Sequence, residues 1–172
     1  MTLGRGEMVH AAQMIATAKH AGAWYDVKVP YIVHPAEVAE LAKALGYGPE
    51  IQAAAWLHDT VEDTDTTYEE LRDEGFPEFV VEAVEAVTYT VDDERCGITK
   101  AAKARKHIGG HAVKFCDSSR NLANALRSCG TTSQEVLTMR IDKYLQILTD
   151  LHSDRPLPAD IERSLGFNRE WS

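Results

Sequence analysis

The chain has 172 residues and 19.1 kDa, 44% hydrophobic and 26% charged, with only 11 Gly and 6 Pro, which suits one folded core and excludes a disordered or fibrous chain. A formal charge of −9 opposes nonspecific nucleic-acid binding, and the longest purely apolar run, 53–57, is too short to cross a bilayer. Cys96, Cys116 and Cys129 are odd in number and widely spaced, which excludes a disulfide framework; with no signal-like start in MTLGRGEMVH, a cytoplasmic protein is expected.

Met8, Ala11, Ala12, Ile15 and Ala18 recur at helical spacing and predict a helix over 7–21, stopped by Gly22. The stretch 23–30 reads as a loop, because Pro30 removes a backbone donor and holds Val29 extended. Pro35 suits the first turn of a second helix that runs to Leu45, and Pro49 opens a third through Ile51, Ala54, Ala55, His58 and Val61 as one element. Thr66 with Glu69 reads as the capping box of a short helix, and Pro77 starts another through Val80, Val81, Val84 and Val87. A loop is expected over 91–97, a helix over 98–107 broken by Gly109-Gly110, and a further helix over 112–126. Thr132 with Glu135 caps the last long helix, whose Val136, Met139, Tyr144, Ile147, Leu148 and Leu151 read as core, before a short helix near 161–165. Only 31–33 and 87–91 have strand-like composition. The fold class is all-α, one domain over 1–172.

Three words carry chemistry: Pro30-Tyr-Ile-Val-His34-Pro35, His58-Asp59-Thr-Val-Glu62-Asp63, and Val113-Lys-Phe-Cys-Asp117-Ser-Ser-Arg-Asn121. On a continuous helix, His58 with Glu62 and Asp59 with Asp63 stack one turn apart, roughly 5.4 Å. An imidazole and a carboxylate at one level can reach a single divalent ion, and the pair one turn away can orient and deprotonate a water. The residues around them are apolar, so a purely structural role would bury ionisable groups without compensation. His34 and Asp117 supply the two further ligands, although His34 alone reads as well as a hydrogen-bonded structural histidine and Asp117 as a partner of Lys114 or Arg120. Two imidazoles and two carboxylates suit Mn, Fe, Co or Zn rather than Ca. Charge is unevenly placed as well. From 95 to 127 eight bases face one acid, Asp117, which makes either a solvated helix surface or a wall for an anionic ligand.

His107 and His111 have ligand-like spacing, yet the glycine pair between them favours surface roles. Cys116 reads as a buried small residue, His20 as either a cap or a cleft residue, and Ser118 and Ser119 lack a nucleophile elbow.

His34, His58-Asp59 and Asp117 resemble, in order and type, the signature of the HD-domain metal-dependent phosphohydrolases. PYIVHP, AAAWLHDTVEDTDTTYEELRDEGFP and VKFCDSSRN are similar to the hydrolase domain of RelA/SpoT-type enzymes and the stand-alone small alarmone hydrolases, over roughly 7–151, with 152–172 as a short extension. The resemblance implies an HD-type helical bundle with its metal site in a central cleft, and no room for a synthetase or regulatory domain. It implies removal of the 3′-pyrophosphate of (p)ppGpp with Mn2+ or another divalent transition metal. His34, His58, Asp59 and Asp117 would hold that metal, Glu62 and Asp63 match the catalytic pair, and Asn121 would lie beside the nucleotide. These hydrolases commonly hold guanine with an Arg-Lys pair before the PYIVHP word. Here that stretch is Trp24-Tyr25-Asp26-Val27-Lys28, which leaves Tyr25, Trp24 or Lys28 to bind the nucleoside. Lys103, Lys106 and Lys114 of the basic stretch would neutralise the diphosphate. The ligand expected is therefore a small nucleotide, with neither nucleic acid nor membrane, and the oligomeric state is left open. A 5′-nucleotidase, an NADPH-type phosphatase and a non-catalytic antitoxin-like binder remain as alternatives.

Overall fold

Ile51, Ala53, Ala54, Ala55 and Leu57 have no exposed surface, so α3 (Pro49–Leu57) is enclosed except along the partly buried Pro49, Gln52 and Trp56. In the computed structural model, which describes residues 2–26 and 29–166, this short apolar helix is the axis of the fold. Around it pack α1 (Arg5–Lys19), α2 (Val33–Ala44), α6 (Glu78–Val87) and α9 (Ile108–Arg127), with α9 also lying against α2 and α6. The alanines of α3 allow these neighbours to approach closely, and the larger Met8, Val38, Val80, Val84 and Val113 fill the space between them. The shorter α4 (Thr60–Asp63), α5 (Tyr68–Asp73), α7 (Val91–Arg95) and α8 (Lys100–Ala104) connect this core, and α10 (Gln134–His152) and α11 (Pro158–Ser164) follow it. The all-α class holds. Among the described residues no helix is long and apolar enough to cross a membrane.

The departures from expectation have identifiable causes. The third helix is not one element: it ends at Leu57, and α4 begins only after His58-Asp59. His58 Nδ1 donates to the Ala55 carbonyl at 2.7 Å and Thr60 Oγ1 to the Leu57 carbonyl at 2.7 Å, so side chains take over backbone acceptors at the break. Residues 23–30 are not a plain loop either. β1 (Trp24–Asp26) pairs antiparallel with β2 (Val29–Pro30), while Tyr31 lies in a turn and Val33 already belongs to α2. At the other strand-like stretch, Val87 ends α6 and Val91 starts α7, which the reciprocal Thr90–Asp93 box caps where a loop was expected. The capping box of α5 is Thr67 with Glu70, one residue later than expected, and Ser133 rather than Thr132 caps α10.

Gly109-Gly110 does not break a helix; it forms the first turn of α9. A Cβ on Gly110 would lie 2.5 Å from the Ala86 Cβ, and one on Gly109 would lie 3.0 Å from the Phe79 ring. The pair is there to let α9 touch α6, with His107 as N-cap accepting from Gly110 N–H at 3.2 Å. The aliphatic residues of α10 are not core throughout. Only Leu137 and Leu151 are buried, while Met139 is 62% exposed, because α10 packs chiefly along α9 and α8 and leaves its far side to solvent.

Candidate metal centre

Four side chains from α2, the end of α3 and the middle of α9 converge. His34 Nε2 lies 3.1 Å from Asp117 Oδ1 and 3.8 Å from Asp59 Oδ2. His58 Nε2 lies 2.8 Å from Asp59 Oδ2 and 3.8 Å from Asp117 Oδ1. Pro35 in the first turn of α2 and the break after Leu57 direct the two imidazoles at one another, with ring centroids 5.2 Å apart. Asp117 reaches them from α9, its Oδ2 accepting from Lys114 Nζ at 2.6 Å and its Oδ1 from Asn121 Nδ2.

The electrostatics are those of a buried, mutually compensating cluster. Burial opposes the charged form of His58, but the adjacent Asp59 carboxylate outweighs it and raises the imidazole to about 9. Burial likewise opposes ionisation of Asp59, and His58 reverses it, holding the carboxyl low. At Asp117 burial is overcome first by Lys114 and then by His34, which keep the group well below the usual carboxylate range.

The break between α3 and α4 sends Glu62 and Asp63 to different partners rather than stacking them over the ligands. Asp63 Oδ2 lies 3.0 Å from the Tyr31 hydroxyl, which is itself 2.6 Å from Asp59 Oδ2. Tyr31 has one proton for two carboxylates, and burial keeps it neutral. The phenol proton is shared between the two carboxylates, held more closely by Asp59. Asp63 is the group raised, by burial first and the Asp59 charge second. Glu62 Oε2 accepts from the Tyr89 N–H at 2.9 Å, and its Oε1 lies 3.7 Å from Lys100 Nζ. Lys100 sits 5.1 Å from the centroid of the Tyr89 ring, and the Tyr89 hydroxyl donates to the Ile98 carbonyl at 2.7 Å.

These groups open into a cavity of about 540 Å³. Of the substrate residues expected from sequence, Tyr25, Lys114 and Asn121 line it. Lys103 and Lys106 do not: Lys103 pairs with Asp93 at 2.6 Å on the α7 side, and Lys106 is exposed beyond the end of α8. Lys28 lies outside the described residues. The cations that do face the cavity from elsewhere are Lys100 at the start of α8 and Arg140 and Lys143 on α10, next to Tyr144. Arg140 makes no ion pair or hydrogen bond among the described residues. The signal for this wall was an Arg and a Lys three residues apart with Tyr144 beside them, hidden by reading α10 as core. His111 donates from Nε2 to the Leu151 carbonyl at 2.9 Å, a structural role, and burial pushes the Cys116 thiol up to about 12.

An HD domain family match spans residues 11–112. The chain belongs to the HD-domain family. This HD-domain chain is 46% identical over 82 residues to the guanosine-3′,5′-bis(diphosphate) 3′-pyrophosphohydrolase of Aquifex aeolicus, a match covering 48% of this chain but 12% of that protein. It is 36% identical over 128 residues to the MESH1 enzyme of the same description from Danio rerio, covering 68% of this chain and 66% of that one. With Xenopus tropicalis MESH1 the identity is 34%, over 69% of this chain and 67% of the relative. A solved structure of a metazoan ortholog of SpoT that hydrolyzes ppGpp superposes with a TM-score of 0.72 over 98% of this chain and 100% of that chain. At 21% identity this shows the same fold.

An HD domain implies a divalent metal, and the residues present fit one. Because a carbonyl can only accept, His58 Nδ1 carries the hydrogen towards Ala55, which leaves a lone pair on Nε2 in the neutral ring. That Nε2 is buried, has no hydrogen-bond partner among the described residues and faces the Asp59 carboxylate. Two lone pairs in such contact need a cation between them, either a proton or a metal. His34, His58 and Asp59 each offer one atom, all within 4.8 Å of one another.

Proposed function

We propose that this chain removes the 3′-pyrophosphate of guanosine 3′,5′-bis(diphosphate), or of its 5′-triphosphate analogue, in the cytoplasm, using a divalent transition metal and Mn2+ first among them. His34, His58, Asp59 and Asp117 hold the metal in this reading, with Glu62 and Asp63 as the catalytic acids. The observation that carries it is one cavity lined both by His34, Asp59, Asp117 and the further carboxylates Glu62 and Asp63, and by the cations Lys100, Arg140 and Lys143. A polyanion suits such a lining, its reacting end at the metal and its remaining charge on the cations. The similarity to MESH1 along two thirds of its length supports the same substrate.

Bound in this cluster, a divalent metal supplies Lewis acidity that lowers the pKa of water and offsets charge on the phosphoryl group. Asp63 takes a proton from the attacking water, and Tyr31 keeps that carboxyl at a fixed place beside Asp59. Glu62 orients the water, itself anchored by the Tyr89 N–H. The water oxygen forms the new bond to the phosphorus on ribose O3′. The bond to O3′ breaks with its electron pair, and the proton held by Asp63 passes to O3′, giving pyrophosphate and a free 3′-hydroxyl. Lys100, Lys143 and Arg140 screen the charge of the phosphates throughout.

A substrate panel with Mn2+ tests the proposal, scored separately for pyrophosphate and orthophosphate. Guanosine 3′,5′-bis(diphosphate) should yield GDP and pyrophosphate in equal amounts. Orthophosphate release from a nucleoside 5′-monophosphate or from NADPH, with no turnover of the bis(diphosphate), would reassign the substrate.

A further inference from the structure

Tyr25 reads from sequence as a nucleoside contact, yet its contacts in the structure lead to the metal ligands. Its ring lies nearly parallel to that of His34, at 15° with centroids 5.3 Å apart. Its hydroxyl donates to Asn121 Oδ1 at 3.0 Å. The amide orientation of Asn121 is determined by chemistry: the Asp117 carboxylate only accepts, so Nδ2 must face it and Oδ1 must face away, towards Tyr25. Asp117 Oδ1, which receives that amide, is the atom 3.1 Å from His34 Nε2. A closed circuit results, from Tyr25 through Asn121 and Asp117 to His34 and back to Tyr25 by ring stacking. It joins β1, α9 and α2, and two of its four members are metal ligands in the reading above.

We infer that Tyr25 is a positioning residue of the metal centre, fixing the plane of the His34 ring by stacking and the Asp117 carboxylate through Asn121. The inference rests on the proposed metal site but not on the identity of the substrate. Burial raises the Tyr25 phenol, so the hydroxyl stays a donor at neutral pH. Asn121 gives its carbonyl to Tyr25 and one amide hydrogen to Asp117, so its orientation is set by this circuit while Tyr25 is in place. Metal centres depend on such supporting contacts, whose loss commonly costs about 10–100-fold in affinity. Tyr25 is also separable from the core, since it is 39% exposed on a ribbon of two very short strands.

Calorimetric titration of the metal-stripped full chain with Mn2+ tests this without any turnover measurement. Tyr25→Leu, which removes both stack and hydroxyl, should weaken Mn2+ binding about 10–100-fold. Tyr25→Phe keeps the stack but not the hydroxyl and should recover part of that loss. Tyr25→Leu combined with Asn121→Ala should lose less than the product of the two single losses, because both act through Asp117. The melting temperature of the stripped Tyr25→Leu protein should match that of the wild type. Wild-type Mn2+ affinity in Tyr25→Leu would overturn the inference. So would an affinity loss that Tyr25→Phe does not rescue and that comes with a lowered melting temperature, since that is a merely structural role. Either result leaves the substrate reading standing, whereas a wild-type chain that binds no divalent metal removes the ground of both.

Discussion

On one side of the cavity, His34, His58 and Asp117 are at most 4% exposed and rise from α2, α3 and α9, helices packed on several neighbours each. On the other side, Arg140, Lys143 and Tyr144 project from α10, of which only Leu137 and Leu151 are buried. The first wall is held by the same packing that holds the fold. The second is a helix laid along α9 and α8, with Arg140 and Lys143 exposed on it. Substitutions on the first wall should therefore cost chemistry and sometimes stability together, and those on the second should cost binding alone.

The sharpest break comes from the ligands themselves. His58→Ala, Asp59→Ala and Asp117→Ala should each lose Mn2+ in calorimetry and all turnover, but with different effects on stability. Asp117→Ala also leaves the buried Lys114 ammonium without its partner, which costs about 3–5 kcal/mol in unfolding experiments. Asp59, whose side chain is 20% exposed, should be removed at much lower cost to the fold. Equal denaturation midpoints for the two variants would contradict the picture of a wall graded in depth.

Glu62→Gln should follow, with kcat down by about 10²–10⁴, the scale of proton-transfer catalysis by a placed water, and Mn2+ affinity kept, since the carboxylate that orients the water is removed without removing a ligand. An unchanged kcat would leave Asp63 and the metal to activate the water by themselves. On the second wall, Arg140→Ala and Lys143→Ala should raise KM for the bis(diphosphate) about 10–100-fold, the worth of a charge-assisted contact, with kcat and melting temperature nearly unchanged. Lys103→Ala and Lys106→Ala, which face away from the cavity, should leave KM within about two-fold, as for surface substitutions generally.

A further test concerns pH. In the metal-stripped protein His58 has its pKa raised from 6.5 to about 9. A raised folded-state value adds stability that is fully present below pH 6.5 and is lost as pH rises through about 9. The melting temperature of the stripped protein should decline across that window, and the Mn2+-loaded protein should show no such decline, because metal replaces the proton. A parallel decline in both forms would mean that His58 is not a ligand.

The residues of the first wall were legible because each sits in a short word with its neighbours: His34 before Pro35, His58 beside Asp59, Asp117 near Lys114 and Asn121. The all-α class was equally plain from the spacing of apolar residues. Three features were not, each because the deciding partner is remote in sequence or is the backbone itself. The break at His58-Asp59 occurs in a stretch with ordinary helical composition and is made by side chains bonding to carbonyls one turn back. Which cations face the cavity depends on how α8 and α10 are rotated, so Lys100 faces inward and Lys103 turns to Asp93. The glycine pair looked like punctuation because Ala86 and Phe79, the residues that require it, lie on another helix.

That glycine pair bears on which sequences can preserve this site. Seven residues, about 10 Å of helix, separate Gly110 from Asp117, so the crossing of α9 over α6 is the reference from which Asp117, a ligand in the proposed site, is placed. One methyl group already occupies the crossing, on Ala86, and the Ala104 carbonyl closes it from the other side, 3.2 Å from where a Cβ of Gly110 would stand. Divergent sequences that keep the metal geometry are thus constrained jointly at positions 86 and 110, neither of which touches the metal: the side chain can grow on one helix only where the other gives up its own.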